Sequence, residues 1–274
     1  DGKPACNRAG AGLILAAYPL ETKLLSSRAC RGLIVATLDQ LRREIDGIDV
    51  ALHDLLIRRV EIGREVAQAK AGASGPNLRP GREAQVMRQL ATRNRDPLSP
   101  KSIARIWREI LSANLNQQVS ITAAVFAPEP AIHELAHEYC GTASSLISLS
   151  NAAAVVDAVT SGSAQIGILP GIESGKTWRW WPRFLETASG SQPRIIARLP
   201  FFISPGKAVD VLIIAPQEPE PSGDDRTLFA IPREDAASNG RLIDRWENGK
   251  TWHLVEVDGF AEHPEHPGDD NWLR

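Results

Sequence analysis

The chain has 274 residues, with 31 basic and 33 acidic side chains and a net charge of −2. At about 150 residues per domain, that length predicts two domains, or three if one is small. Hydrophobic residues at 43% and charged residues at 23% exclude a disordered or fibrous chain, and the near-neutral balance argues against a nucleic-acid binder working through a basic surface.

Residues 1–36 are expected to be a poorly ordered leader. The stretch from Gly10 to Leu20 has the length of a signal-peptide core, but no clean small-x-small site follows it. No apolar run reaches the ~18 residues of a membrane span. Cys6, Cys30 and Cys140 are odd in number and lack metal-ligand or CxxC spacing, so they read as reduced thiols of a cytoplasmic protein. Aromatic residues make up only 5%, so the core rests mainly on Ala, Leu, Ile and Val.

From Leu38 to about Gln118 the sequence reads as helix. Leu38, Leu41, Ile45, Ile48, Leu52, Leu55, Ile62, Val66 and Ala69 follow an alternation of three and four, the seam of a coiled coil. A helix from Thr37 to Lys70 spans ~50 Å, more than one small domain covers, which predicts a partner chain along it. Gly72, Gly75 and Pro76 end it. A second helix runs from Pro80 to about Arg93. Ser99-Pro100 then supplies an N-cap and a first-turn proline for a third, through Gln118.

After Val119 the texture changes. ITAAVFA (121–127), SLISL (145–149), AQIGILP (164–170), RIIARLPF (194–201) and VDVLIIAP (209–216) read as short buried strands, with helices at IHELAHEYC and AAAVVDAVTS. The fold class is therefore multi-domain: an all-α unit followed by a small α/β region over 119–216. QEPEPSGDD (217–225) reads as a linker, and 226–260 as a last α/β segment before a polar tail.

One position breaks the helical seam. The alternation predicts a core residue at 59, which is Arg59, and a charge there costs several kcal/mol unless an anion or acceptor pairs with it. Either it is a satisfied structural arginine or it waits for a ligand. Lys70, 11 residues on, falls within about 20° of Arg59 around the helix and ~16 Å along it, so the two could grip opposite ends of a small anion. Arg42 lies ~25 Å from Arg59 and roughly 100° round, and could join such a site only from an antiparallel partner. Three cations with few paired acids predict a dianionic ligand.

LDQLRREIDGIDVALHDLLIRRVEIGREVAQAK, RPGREAQVMRQL and IARIWREILSANLNQQ together resemble the all-helical class of chorismate mutases over residues 37–118. The L-R-x-x-I-D-x-I-D opening, the R-R-x-x-x-G-x-x-V-x-x-x-K end of the first helix and the P-x-R-E start of the second carry the likeness. It implies a three-helix domain in an intertwined homodimer that turns chorismate into prephenate. Arg59 and Lys70 match cations that hold the substrate carboxylates, and Lys70 also reaches the ether oxygen. Arg42 matches the arginine given by the other protomer. Arg82 and Glu83 match a pair lining the pocket, with Glu83 accepting the substrate hydroxyl. Gln118 matches the amide that donates to the ether oxygen, with Gln117 the alternative. Asn114 stands where the family often has a serine near a substrate carboxylate, and Arg79 where some members carry an acid. The rearrangement is intramolecular, so the likeness implies no cofactor and no metal.

The second half resembles prephenate dehydratase. AAVFAPEPAIHELAHEYCG is similar to its opening, with A-P-E-P-A where the family has G-P-x-G-T, and DAVTSGSAQIGILPGIES to a later segment. The catalytic Thr-Arg-Phe of that family falls on Val209, Asp210 and Val211, and about 35 residues after Ser174 are too few for its second lobe. TLFAIPRED through LVEVDGF resembles an amino-acid-sensing ACT domain over 226–274 without its G-A-L and E-S-R-P motifs. His133-Glu134…His137 fits H-E-x-x-H but has no third ligand, so it reads as an amphipathic helix. His263, Glu265 and His266 read as solvated, and Trp178, Trp180 and Trp181 as caps on a core or interface. Two other readings stay open: a bifunctional mutase–dehydratase, and a non-catalytic helical dimer whose α/β half binds a regulatory ligand or partner protein. A lyase acting on isochorismate is a further one.

Overall fold

The computed structural model describes residues 36–69, 78–94, 97–172, 178–186, 192–202, 209–232 and 240–261. Two units divide the chain, 1–50 and 51–274, and the division falls inside the first helix, α1 (Leu38–Ala69). In the first unit, Thr37 and Gln40 form a capping box. The Gln40 amide donates to Thr37 Oγ1 at 3.3 Å and the Thr37 amide to Gln40 Oε1 at 2.8 Å. The seam residues Leu38, Leu41, Ile45 and Ile48 of that unit are exposed.

In the second unit Leu52, Leu55, Ile62 and Val66 are exposed too, and the buried residue of α1 is Gly63. α2 (Pro80–Arg93) and α3 (Pro100–Asn116) each begin on proline, whose missing N–H costs nothing in the first turn. Ser99 caps α3 by accepting from the Ser102 amide at 3.0 Å. The α3 helix stops two residues short of the expected Gln118.

The α/β region follows as β1 (Thr122–Val125), α4 (Pro130–Cys140), β2 (Ser145–Ser148), α5 (Ala152–Thr160), β3 (Ile166–Pro170), α6 (Pro182–Glu186), β4 (Arg194–Leu199) and β5 (Val211–Ala215). Its sheet has the order β2-β1-β3-β5-β4. The first three strands are parallel, joined by helical crossovers, and β5 runs antiparallel to both β3 and β4. Alternate side chains divide between two cores, as the two-residue period of a strand requires. Ala123, Val125, Ile166, Ile168, Val211 and Ile213 pack with Ile132, Ala136 and Tyr139 of α4. Ala124, Leu169, Leu212 and Ile214 pack with Val155, Val156 and Val159 of α5. The result is an α/β region with a mixed sheet behind a helical domain.

Two expectations need correction. The segment 226–260 is not α/β among its described residues: β6 (Arg226–Pro232), β7 (Arg241–Asn248) and β8 (Lys250–Asp258) form an antiparallel sheet of order β6-β8-β7. Its Ala230 and Leu254 enter the α5-side core beside Trp180 and Trp181. The two tryptophans are buried as core caps, Trp181 donating to Asp244 Oδ2 at 2.9 Å while Arg179 grips the same carboxylate from Nε and Nη2. The segment 217–225 is not a free linker either. It docks on α2: Arg79 Nε donates to Glu220 Oε2 at 2.8 Å, Arg88 donates to the Ser222 carbonyl, and the Glu220 and Pro221 carbonyls lie where a Cβ at Gly81 would meet them at 2.9 and 3.0 Å. Only glycine lets the strap pass so close. Among the described residues, no helix is long and apolar enough to cross a membrane.

Candidate active site

The break in the α1 seam is visible as an electrostatic defect. Arg59 is half-buried, its Nη1 is fully buried, and among the described residues that nitrogen finds no hydrogen-bond partner. Burial pushes the guanidinium down from the usual arginine range. Gly63 is one turn further along the same face. A Cβ there would overlap the Asn114 amide, so the glycine admits α3 against α1. Asn114 Oδ1 is likewise buried without a partner. Arg59 Nη1, a charged donor, and Asn114 Oδ1, an amide acceptor that packs on Gly63, are thus both buried and unsatisfied. Each such group costs about 1–3 kcal/mol, and more when charged, so an arrangement of this kind is stable only if a ligand completes it or the rest of the fold offsets it.

The end of α3 carries the two glutamines. Gln117 is exposed and its Oε1 accepts from Arg64 Nη2 at 2.6 Å. Gln118 is half-buried and lies four residues beyond Asn114, the spacing that keeps two side chains on one face.

The remaining candidates are placed as follows. Lys70 lies outside the described residues. Arg42, in the first unit, is 65% exposed at its side chain, with Asp39 Oδ1 at 3.6 Å. An exposed pair of this kind is weak, which leaves the guanidinium available. Arg82 is exposed and makes a long contact, 3.4 Å, to Gln85 Oε1. Arg79 turns its Nε to Glu220. Glu83 is held by a residue the motifs do not single out: Arg108 Nη1 donates to Glu83 Oε2 at 2.7 Å, with side-chain exposures of 6% and 12%. Arg108 and Asn114 are six residues apart on α3, about 9 Å along it and about 120° round it, so Glu83 and Gly63 meet different faces of that helix.

Among the described residues no group of three or more His, Cys, Asp or Glu is placed to hold a metal ion. His133 and His137 are exposed, with their rings 4.6 Å apart. His263, Glu265 and His266 lie outside the described residues. Cys140 is a free, buried thiol that burial pushes up to about 12, which makes it unreactive. At the position of the dehydratase arginine, Asp210 accepts from Arg198 at 2.6 Å.

Comparison with known proteins places a family on the helical part. Residues 41–119 match the family model described as chorismate mutase type II. A bifunctional chorismate mutase/prephenate dehydratase of Stutzerimonas stutzeri is 33% identical over 142 residues, 48% of this chain and 38% of that protein. Its counterpart from Pseudomonas aeruginosa is 29% identical over 139 residues, again 48% of this chain and 38% of the relative. The chain therefore matches well under half the length of these relatives. Both aligned stretches are longer than the 41–119 span, so the likeness extends beyond the helical domain. A solved structure described as "GqqA- a novel type of quorum quenching acylases" covers 53% of this chain and 83% of itself, at 15% identity and a TM-score of 0.36.

Proposed function

From the chorismate mutase type II domain at residues 41–119, we propose that this chain is a cytoplasmic enzyme that rearranges chorismate to prephenate. The observation that carries the reading is the buried Arg59 Nη1, which has no hydrogen-bond partner among the described residues. A guanidinium in that state is completed by a carboxylate, and chorismate brings two. Because bond breaking and bond making occur within one molecule, no nucleophile or redox group has to take part. The protein instead holds the reactive diaxial conformer and stabilises the charge that develops on the breaking ether oxygen. Arg59 and Lys70 hold the carboxylates, and Lys70 and Gln118 donate to the ether oxygen. Asn114 and Arg82 line the pocket. Glu83 accepts the substrate hydroxyl through Oε1, its other oxygen being taken by Arg108. Arg79 keeps only its terminal nitrogens for substrate, since Nε is on Glu220.

The active form is an intertwined homodimer, with Arg42 supplied across the interface. Its support is the apolar seam of α1, where Ile45 is 56%, Leu52 53% and Leu55 67% exposed. A second copy of this helix is the surface that such a heptad pattern fits. Sedimentation velocity is expected to give twice the 29.8 kDa chain mass. Leu55→Glu should shift the protein to monomer and abolish turnover; a fully active monomer would overturn the shared site.

The test of the function is to offer the intact chain chorismate and follow its absorbance. A second reading, the bifunctional mutase–dehydratase, has in its favour that the likeness to proteins of that name extends past the helical domain. Val209, Asp210 and Val211 at the catalytic positions speak against it. Offering prephenate and looking for phenylpyruvate separates the two.

A further inference from the structure

We propose that Arg108 is a positioning residue for the mutase site: the α/β region fixes it, and it in turn fixes Glu83. The inference rests on the role given to Glu83 above. Arg108 projects from α3 and is 5% exposed, and each of its three side-chain nitrogens donates a hydrogen bond. Nε and Nη2 both donate to the Tyr139 carbonyl, at 3.2 and 3.0 Å, and Nη1 donates to Glu83. The guanidinium carbon lies 4.2 Å from the centre of the Tyr139 ring, within cation–π range. Two bonds to one carbonyl and a ring against one face leave the guanidinium no freedom to rotate, so the direction of Nη1 is set by α4.

A rigid planar donor of this kind determines where its carboxylate partner sits. Glu83 Oε2 is anchored, and Oε1 is left for another donor. The Tyr139 carbonyl carries only a partial charge, so Glu83 is the residue that balances the buried cation. The anchor itself is braced. Ser112, one turn from Arg108, donates to the Cys140 carbonyl, and Gly141, at φ +67°, packs where a Cβ would strike Ser112. The α/β region thereby acquires a function within the mutase reaction without chemistry of its own: it holds the arginine that orients an acceptor on α2.

The experiment is a double-mutant cycle in the intact chain, with chorismate as the substrate. Arg108→Gln and Arg108→Lys are each made alone and together with Glu83→Gln, and their folding is checked by circular dichroism and melting. Arg108→Gln is expected to lower kcat/KM on the order of 100-fold, as a misplaced acceptor does, and Arg108→Lys to recover part of that. In the Glu83→Gln background both Arg108 changes should alter kcat/KM less than about twofold, because there is no longer a carboxylate to position. Additive losses in the two backgrounds would overturn the proposal while leaving the mutase reading intact. So would parent-like activity of both single variants, or loss of the fold in both. No turnover by the unsubstituted chain would remove the mutase reading, and this inference with it.

Discussion

Replacing Arg59 with leucine is expected to raise the melting temperature of the ligand-free chain and to remove the proposed turnover of chorismate. Both effects come from the same defect. The seam of α1 requires an apolar residue at 59, and the arginine there keeps a buried Nη1 without a partner. Leucine restores the three–four alternation and relieves about 1–3 kcal/mol of unsatisfied polar burial, a rise of several degrees for a chain of this size. The same change deletes the charge-assisted hydrogen bonds to a substrate carboxylate. At about 1.5–3 kcal/mol each, a pair of them is worth roughly 10²- to 10⁴-fold in kcat/KM. Thermal melts and steady-state kinetics on one preparation check both halves. A lower melting temperature with unchanged turnover would make Arg59 a satisfied structural arginine. Opposed signs are what a site that sacrifices stability for binding produces.

Lys70→Ala is expected to lower kcat about 10²- to 10³-fold, with a smaller change in KM. Lys70 has two tasks in the proposed mechanism, and only one is confined to the transition state. Its hold on a carboxylate is present in the ground state as well, so losing it weakens binding. Its donation to the ether oxygen strengthens as that bond breaks, and a donor aimed at developing charge is among the costliest to lose. Lys70→Arg restores the charge but not the compact ammonium, so it should recover binding more than kcat. Full activity in Lys70→Ala would remove the ether-oxygen role from this residue.

What could be read in advance was what local chemistry encodes. Pro80 and the Ser99-Pro100 pair mark where α2 and α3 begin, because a cap and a first-turn proline act within one turn. The five strands of the mixed sheet are legible as short apolar runs, but the burial expected of all five holds in β1, β3 and β5 and not in β2, an edge strand whose residues are mostly exposed. Arg59 was legible as a single break in a regular alternation. The unpaired state of its Nη1 was not, since it depends on which groups the folded chain brings within reach of that nitrogen. Arg108 gave no signal, for its acceptors are a carboxylate on another helix and a backbone carbonyl 31 residues away, and no side-chain pattern records a carbonyl. Glu220 was hidden for a similar reason. Proline and acid read as a solvated linker by composition, but Arg79 and Arg88, over 130 residues earlier, draw that strap onto α2. The 226–260 segment reads as α/β in sequence, whereas its long-range strand pairing makes a sheet.

The two halves of the chain are thereby linked in the account. Val209, Asp210 and Val211 stand where the dehydratase resemblance puts its Thr-Arg-Phe, and Asp210 is bound to Arg198. The same region presents the Tyr139 carbonyl to Arg108 and encloses the Cys140 thiol. Breaking the Arg108–Glu83 pair on one side leaves a buried charge uncompensated, which costs about 3–5 kcal/mol.

The central claim is tested most directly by incubating the intact chain with chorismate and identifying the product by NMR. Prephenate should account for all the chorismate consumed, at a rate abolished by Arg59→Leu. No consumption by the folded chain would leave a non-catalytic helical dimer, and release of pyruvate in place of prephenate would make the site a lyase; either result contradicts the account.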